Sequence, residues 1–246
     1  MQSITICLPC YNEASRGDFK GRLSFLYAEM EKISDDFEIL LVNDGSTDNT
    51  ASVIKDFAMN NKNVKAIIRN RNIGKGYSIR RGIYHATKDV FFFMDADLST
   101  DLKYISEFLS FQKENTCIIA SRHLNNSNIA GKQTLLRKVV SFTSRQTIKL
   151  LFNLHVSDSQ CGFKCFNTKD LKKIYEYLSI DRWLLDIEIL VYLTALNINI
   201  IDYPITWTSN LKTTLNSKEA LITSIKEMFK LLLTKNRKIR SIRRSL

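Results

Sequence analysis

The chain has 246 residues, 44% of them hydrophobic, enough to bury one sizeable core, and its 8 glycines and 2 prolines exclude a linker-rich or low-complexity protein. Lys and Arg number 36 against 25 Asp and Glu, a formal net charge of +11 that favours anionic partners such as phosphorylated small molecules, an anionic membrane or nucleic acid. No apolar run is long enough to span a bilayer, and the opening MQSITICLPCYNE has neither the basic nor the apolar region of a secretion signal, so no transmembrane helix or signal peptide is expected.

Ser3–Leu8 is a short β-rich run that ends in the loop chemistry of Pro-Cys-Tyr-Asn-Glu. Arg22–Ile33 carries apolar residues at Leu23, Leu26, Tyr27, Met30 and Ile33, a helical period. Phe37–Val42 is a second apolar strand, running into Asn43-Asp44-Gly45-Ser46-Thr47-Asp48, and Thr50–Met59 reads as a helix. Val64–Ile68 is a third strand, Gly76–Ala86 a helix opened by Asn72-Ile73-Gly74-Lys75-Gly76, and Val90–Met94 a fourth strand that ends on Asp95-Ala96-Asp97. This β-α-β-α-β-α-β order predicts an α/β fold, a parallel sheet with helices on both faces. Ligands of such sheets bind beyond the carboxyl ends of the strands, where all four polar loops should converge.

The second half is less regular. Cys117–Ala120, Phe163–Phe166 and Ile198–Ile201 are strand candidates, and Leu135–Leu154 and Asp186–Leu196 are helical. Lys218–Leu233 is an amphipathic helix followed by the basic tail KNRKIRSIRRSL. This divides the chain into a main domain, residues 1–207, and a C-terminal helix with its tail, residues 208–246. The five cysteines are an odd count. Cys7 and Cys10 have redox or zinc spacing, but no His neighbours them, and Cys7 falls in a strand pattern where it serves as a small buried hydrophobe. A reducing, cytosolic setting follows.

Asp95 and Asp97, one residue apart on one short loop, do not suit an opposed acid/base pair. They suit a divalent cation, Mg²⁺ or Mn²⁺, which is held by one or two carboxylates plus substrate phosphates and removes the repulsion between them. The Asn72–Gly76 loop opens a helix, and its backbone N–H groups together with Lys75 form an anion site. It is not a dinucleotide fingerprint, since Ile79 stands where the third glycine is required. Asp44 could accept a bond from a base N–H or a ribose hydroxyl, or simply form a turn. Asp48 serves as a cap for the next helix.

LPCYNEA, VNDGSTDNT, NRNIGKG and MDADLS resemble the four nucleotide-sugar motifs of family 2 inverting glycosyltransferases with the GT-A fold. ASRHL (Ala120–Leu124), DSQCGFKCF (Asp158–Phe166), RWLLDIEIL (Arg182–Leu190) and YPITW (Tyr203–Trp207) resemble the dolichyl-phosphate β-glucosyltransferase branch, whose near relatives are the polyprenyl-phosphate mannose synthases. The resemblance implies hexose transfer, glucose from UDP-glucose, to a polyprenyl or dolichyl phosphate. The alternatives are a mannose synthase using GDP-mannose and a family 2 transferase with a non-lipid saccharide acceptor. It assigns Pro9, Tyr11, Asn12, Glu13, Asp44, Ser46, Asn72, Gly74, Lys75, Gly76, Asp95, Ala96 and Asp97 to the nucleotide sugar. Arg122, Arg137 and Ser141 go to the acceptor phosphate, and Gln160 and Asp186 lie near the sugar or acceptor. Glu188 reads equally as support for the site or as a satisfied core residue.

A lipid acceptor requires a membrane surface, so a peripheral protein on the cytoplasmic face is expected. The Leu221–Leu233 stripe is expected to pack on the domain, and Lys235–Leu246 to touch lipid. Arg145 reads as a solvated position. Nucleic acid is not expected as a partner, since the basic excess lies in the tail and around the loops and no nucleic-acid-binding signature appears.

Overall fold

The computed structural model describes residues 2–130, 135–208 and 217–245. Seven strands form the main sheet: β1 (Ile4–Cys10), β2 (Phe37–Asn43), β3 (Val64–Ile68), β4 (Val90–Met94), β5 (Thr116–Ser121), β7 (Phe163–Asn167) and β8 (Asn199–Pro204). Their order is β3-β2-β1-β4-β7-β5-β8. The helices are α1 (Phe19–Ile33), α2 (Thr50–Asn60), α3 (Lys75–His85), α4 (Lys103–Phe111), α5 (Leu135–Phe152), α6 (Thr168–Tyr175), α7 (Leu185–Ala195) and α8 (Ser217–Ser245). A small second sheet pairs β6 (Asn128–Ala130) with β9 (Thr206–Thr208).

The first four strands are parallel, as their alternation with helices predicts. The chain winds outward from β1 to β3, then returns to place β4 on the other side of β1. The crevice between β1 and β4 is therefore the switch point where an open α/β sheet binds its ligand. β4 is apolar throughout because both its faces are covered. Phe91 and Phe93 enter one buried cluster, Val90, Phe92 and Met94 the other.

β7 departs from this pattern, running antiparallel between β4 and β5. Its first residue, Phe163, pairs with Met94, the last residue of β4. An antiparallel strand begins at the end where its parallel neighbours finish. The segment before β7, Asp158–Gly162, is thereby delivered to the same crevice as the loops after β1, β2 and β4.

Several elements differ from the sequence reading. α1 starts three residues earlier than expected, because the Asp18 carboxylate accepts the Gly21 N–H and caps the first turn. α4, α6 and the β6–β9 pair have no counterpart in the expected elements. The C-terminal helix and tail form one continuous 29-residue helix, α8. Its second half does not face away from the protein: Ile242 is 1% exposed and Ile239 packs against the core cluster, as do Met228, Leu231 and Leu232 of the stretch expected to pack. Three of the basic side chains there also bond to the protein. Lys235 Nζ donates to Leu151 O, Lys238 Nζ to Ser179 Oγ and Glu188 Oε1, and Arg243 to Ala195 O. The exposed apolar residues are instead Leu221, Ile222, Ile225, Phe229 and Leu233, in the half expected to pack.

Candidate active site

The loops after β1 and β2 are clamped together. Asn12, held at φ 53°, accepts the Thr47 N–H with its Oδ1, while its own N–H donates to Ser46 Oγ. Asp48 accepts from Ser15 N and from Thr50 N, the first residue of α2, so it ties the two loops; the cap position of α2 is taken by Asn49 rather than Asp48. Pro9 lies at the end of β1, and Tyr11 beside it is 43% exposed, leaving a ring face for a planar group.

Asp44 and Glu13 turn out to be engaged within the protein. The Asp44 carboxylate accepts the Ile73 and Gly74 N–H groups at 3.1 and 2.7 Å, so the β2 loop holds the Asn72–Gly76 loop in place. Burial raises its pKa, partly offset by these amides and by Arg69 and Arg182. Glu13 is buried between Arg16 and Arg22, with its pKa raised by burial against the pull of both guanidinium groups. Arg22 Nε then donates to Ala96 O, the middle residue of the Asp95–Asp97 loop. The sequence reading missed Arg22, whose place in the α1 pattern gave no sign that it reaches β4.

At the end of β4, Lys75 Nζ meets Asp95 Oδ1 at 2.6 Å. Burial works against the charged ammonium, but the Asp95 and Asp186 carboxylates more than offset it and hold Lys75 protonated. Asp97 Oδ1 accepts the Ser99 N–H. Asp95 N donates to Gly162 O, and a Cβ at Gly162 would sit 1.9 Å from Asp95 Oδ2. Only glycine lets the Asp158–Gly162 segment approach the two carboxylates this closely.

On the other side of Gly162, Arg122 grips Asp158 through Nε and Nη2 at 2.7 and 3.1 Å, and its N–H donates to the same carboxylate. Burial would raise the Asp158 pKa, but Arg122 more than reverses this and holds it low. Arg122 also lies over the Trp207 ring. Arg145, expected to be solvated, instead has Nη1 2.8 Å from His123 Nε2, beside this pair. Asp186 is set behind the site, 3.2 Å from the fully buried Lys164 ammonium, which also donates to Cys161 O. Lys164 was not anticipated, since a lysine within a strand pattern reads as solvent-facing. Gln160 is exposed near the crevice. Glu188 proves to be a core residue: fully buried, it accepts bonds from Ser179 N, Ser179 Oγ, Ile180 N and Tyr192 Oη. Arg137 and Ser141 belong to α5, but their side chains lie outside the described residues. The five cysteines are free and buried, and burial pushes their thiols up, to about 12 for Cys161.

The model of glycosyl transferase family 2 matches residues 5–175. The chain belongs to that family. Among curated proteins, the dolichyl-phosphate beta-glucosyltransferase of Dictyostelium discoideum is 28% identical over 216 residues, 83% of this chain and 66% of that protein. The enzyme of the same description from Saccharomyces cerevisiae is 29% identical over 225 residues, 83% and 66% of the two chains. One from Trichomonas vaginalis is 32% identical over 216 residues, 83% and 65%. The chain thus spans just under two thirds of the length of these relatives. Among solved structures, glucosyl-3-phosphoglycerate synthase from Mycobacterium tuberculosis, crystallised with Mn²⁺, UDP and phosphoglyceric acid, superposes with a TM-score of 0.67 at 14% identity, covering 97% of this chain and 78% of that one. This likeness establishes the shared GT-A architecture.

The donor set of this family 2 chain fits a hard divalent cation. Asp95 and Asp97 offer carboxylate oxygens on a loop braced by Arg22, Lys75 and Gly162. Among the described residues there is no group of three or more His, Cys, Asp or Glu that could hold a metal. Two carboxylates with the remaining positions left to water and phosphate oxygens are what Mg²⁺ or Mn²⁺ accepts, whereas structural zinc would require a fuller protein cage.

Proposed function

We propose that this protein transfers glucose from UDP-glucose, with inversion, to the phosphate of dolichol or another polyprenol. The observation that carries the reading is the junction at Asp95 and Gly162. There the loops of the first four strands, with the family's nucleotide-sugar motifs, meet the Asp158–Gly162 segment and the Arg122–Asp158 pair. The description shared by the curated relatives supports the sugar and the lipid acceptor.

In this reading Asp95 and Asp97 hold Mg²⁺ or Mn²⁺, which supplies Lewis-acid stabilisation of the diphosphate leaving group. Lys75 contributes a fixed positive charge at the same place, and the Tyr11 ring offers a surface for the base. Pro9, Asn12, Ser46, Asn72, Gly74 and Gly76 shape the nucleotide cleft, while Asp44 and Glu13 fix its loops from behind. The acceptor phosphate is already ionised near neutral pH, so no strong general base is needed. Its oxygen requires charge compensation and alignment for in-line attack on the anomeric carbon. Arg137 and Ser141 on α5, together with Arg122, serve that end, and Gln160 lies between the two halves. Arg122 is already held by Asp158, so it acts as a braced donor with its geometry set in advance.

Contact with a membrane follows from the acceptor. Among the described residues no helix is long and apolar enough to cross a bilayer. The exposed face of α8, with Ile225, Phe229 and Leu233 beside Lys226, supports peripheral binding to an anionic cytoplasmic leaflet. Residues 1–207 then form the catalytic body, and residues 208–246 provide its lipid-facing helix. The test is a panel of UDP- and GDP-sugars incubated with polyprenyl phosphate and Mg²⁺ or Mn²⁺. UDP-glucose should give a glucosyl lipid of inverted anomeric configuration. Transfer from GDP-mannose alone, or only to a soluble saccharide, would overturn the reading.

A further inference from the structure

Helix α7 begins at Leu185 with no side-chain cap of its own. The three preceding N–H groups, from Arg182, Trp183 and Leu184, all point at one carboxylate, Glu227 of α8. The distances are 2.9 Å to Oε1 for Arg182 and 2.9 and 3.1 Å to Oε2 for Trp183 and Leu184. A helix N-terminus of this kind is stabilised by an anion, and here the anion is supplied across 43 residues of sequence.

The other side of the same segment lies against the Asn72–Gly76 loop. Arg182 O accepts the Gly76 N–H at 3.0 Å, and Asp181 O accepts the Tyr77 N–H at 2.7 Å. Asp181 also pairs with Arg80 of α3. At Gly74, held at φ +138°, an added Cβ would lie 2.5 Å from both Asp181 O and Arg182 Cγ. Residues 181–184 are therefore a wedge between α8 and the start of α3, which carries Lys75. Two residues into α7, Asp186 adds to the field that keeps Lys75 charged. α8 also holds the chain just before the wedge, where Lys230 Nζ donates to Ser179 O.

We propose that Glu227 is a positioning residue for the donor site: by anchoring residues 182–184 it fixes the Gly74–Tyr77 turn and Lys75. The helix whose outer face carries Ile225 and Phe229 thus also sets the nucleotide loop. The proposal rests on the donor reading above only for its consequence, not for its geometry.

Glu227→Gln in the full chain keeps the size of the side chain and removes its charge. Amide hydrogen exchange is the first readout. Exchange should rise at least tenfold at residues 182–184 and also at Gly76 and Tyr77, with the β1 and β4 amides unchanged. In a titration with UDP and Mn²⁺, affinity should fall about tenfold. In turnover, the donor KM should rise while the acceptor KM stays constant. Glu227→Asp should recover part of each. A Gln variant that exchanges faster only at residues 182–184, with Gly76 and Tyr77 protected and UDP affinity intact, would overturn the proposal and leave Glu227 a local helix cap. If wild-type protein does not bind UDP, the donor reading fails, and the exchange at Gly76 and Tyr77 still decides the role of Glu227.

Discussion

The two halves of the sheet reach the same crevice by different means. On the β1–β4 side, each strand runs directly into the loop that forms the site, and the loops brace one another through short contacts such as Asn12 with Thr47 and Asp44 with Gly74. On the β7–β5–β8 side, the contacts run from side chain to side chain: Arg122 with Asp158, His123 with Arg145, and Lys164 with Asp186. The first arrangement joins loops largely through side-chain bonds to backbone amides, the second through bonds between polar and charged side chains. A cleft of backbone and carboxylates suits a nucleotide diphosphate with its metal. Braced cations suit a second phosphate that must be held while it attacks.

The largest expected effect tests the first half. Asp97→Ala should lower the transfer rate about 10³-fold, on the order of 4 kcal/mol, with the melting temperature little changed. Asp95→Ala should be nearly as severe, and it also frees Lys75 from its partner. EDTA should stop the wild type, and Mn²⁺ or Mg²⁺ should restore it. Substantial activity of Asp97→Ala at saturating metal would dissociate the metal site from the Asp95–Asp97 loop.

The second half should fail through stability as well as rate. Arg122→Ala leaves the Asp158 carboxylate, whose side chain is 2% exposed, without its guanidinium, at a cost of about 3 kcal/mol by urea unfolding. The pair lowers the folded-state pKa of Asp158. Its contribution is therefore full above the ordinary aspartate pKa of about 3.9 and is lost as pH falls through the folded value. The stability gap between wild type and variant should accordingly narrow in acid. A gap that widens in acid would contradict the sign of this coupling.

Truncation after Thr234 is a smaller perturbation with a clear sign. It uncovers the site of Ile239 and Ile242 and removes Lys238 from Glu188, and should cost about 2–3 kcal/mol by unfolding. Unchanged stability would mean that the tail is not docked in solution. Smaller still, Ile225→Asp with Phe229→Asp should weaken pelleting with anionic vesicles by about tenfold while leaving UDP affinity unchanged, since both side chains are exposed.

These contrasts also mark what could be read from the sequence. β1 to β4 and the loops after them are legible because each apolar run is bounded by turn residues and each functional residue follows its strand directly. The antiparallel direction of β7 is not legible, since periodicity carries no direction, although Asp158–Phe166 stands out as a motif. The Ile239–Ile242 stripe among arginines fits a lipid surface and a protein groove equally well. Only the packing of these residues against the core cluster separates the two. Glu13 and Asp44 are legible as residues of the loops after β1 and β2, but their partners, Arg22 and the Gly74 amide, lie on other elements and cannot be inferred from spacing.

The division of labour between the halves is tested most directly by calorimetric titration of UDP with Mn²⁺ into wild type, Asp97→Ala and Arg137→Ala, set beside transfer rates to polyprenyl phosphate. Both variants should be poor catalysts, and loss of a charge-assisted phosphate contact at Arg137 should cost about 1.5–3 kcal/mol in use of the acceptor. UDP affinity should be lost in Asp97→Ala and unchanged in Arg137→Ala. An equal loss of UDP affinity in Arg137→Ala would put that arginine in the donor site and contradict the division.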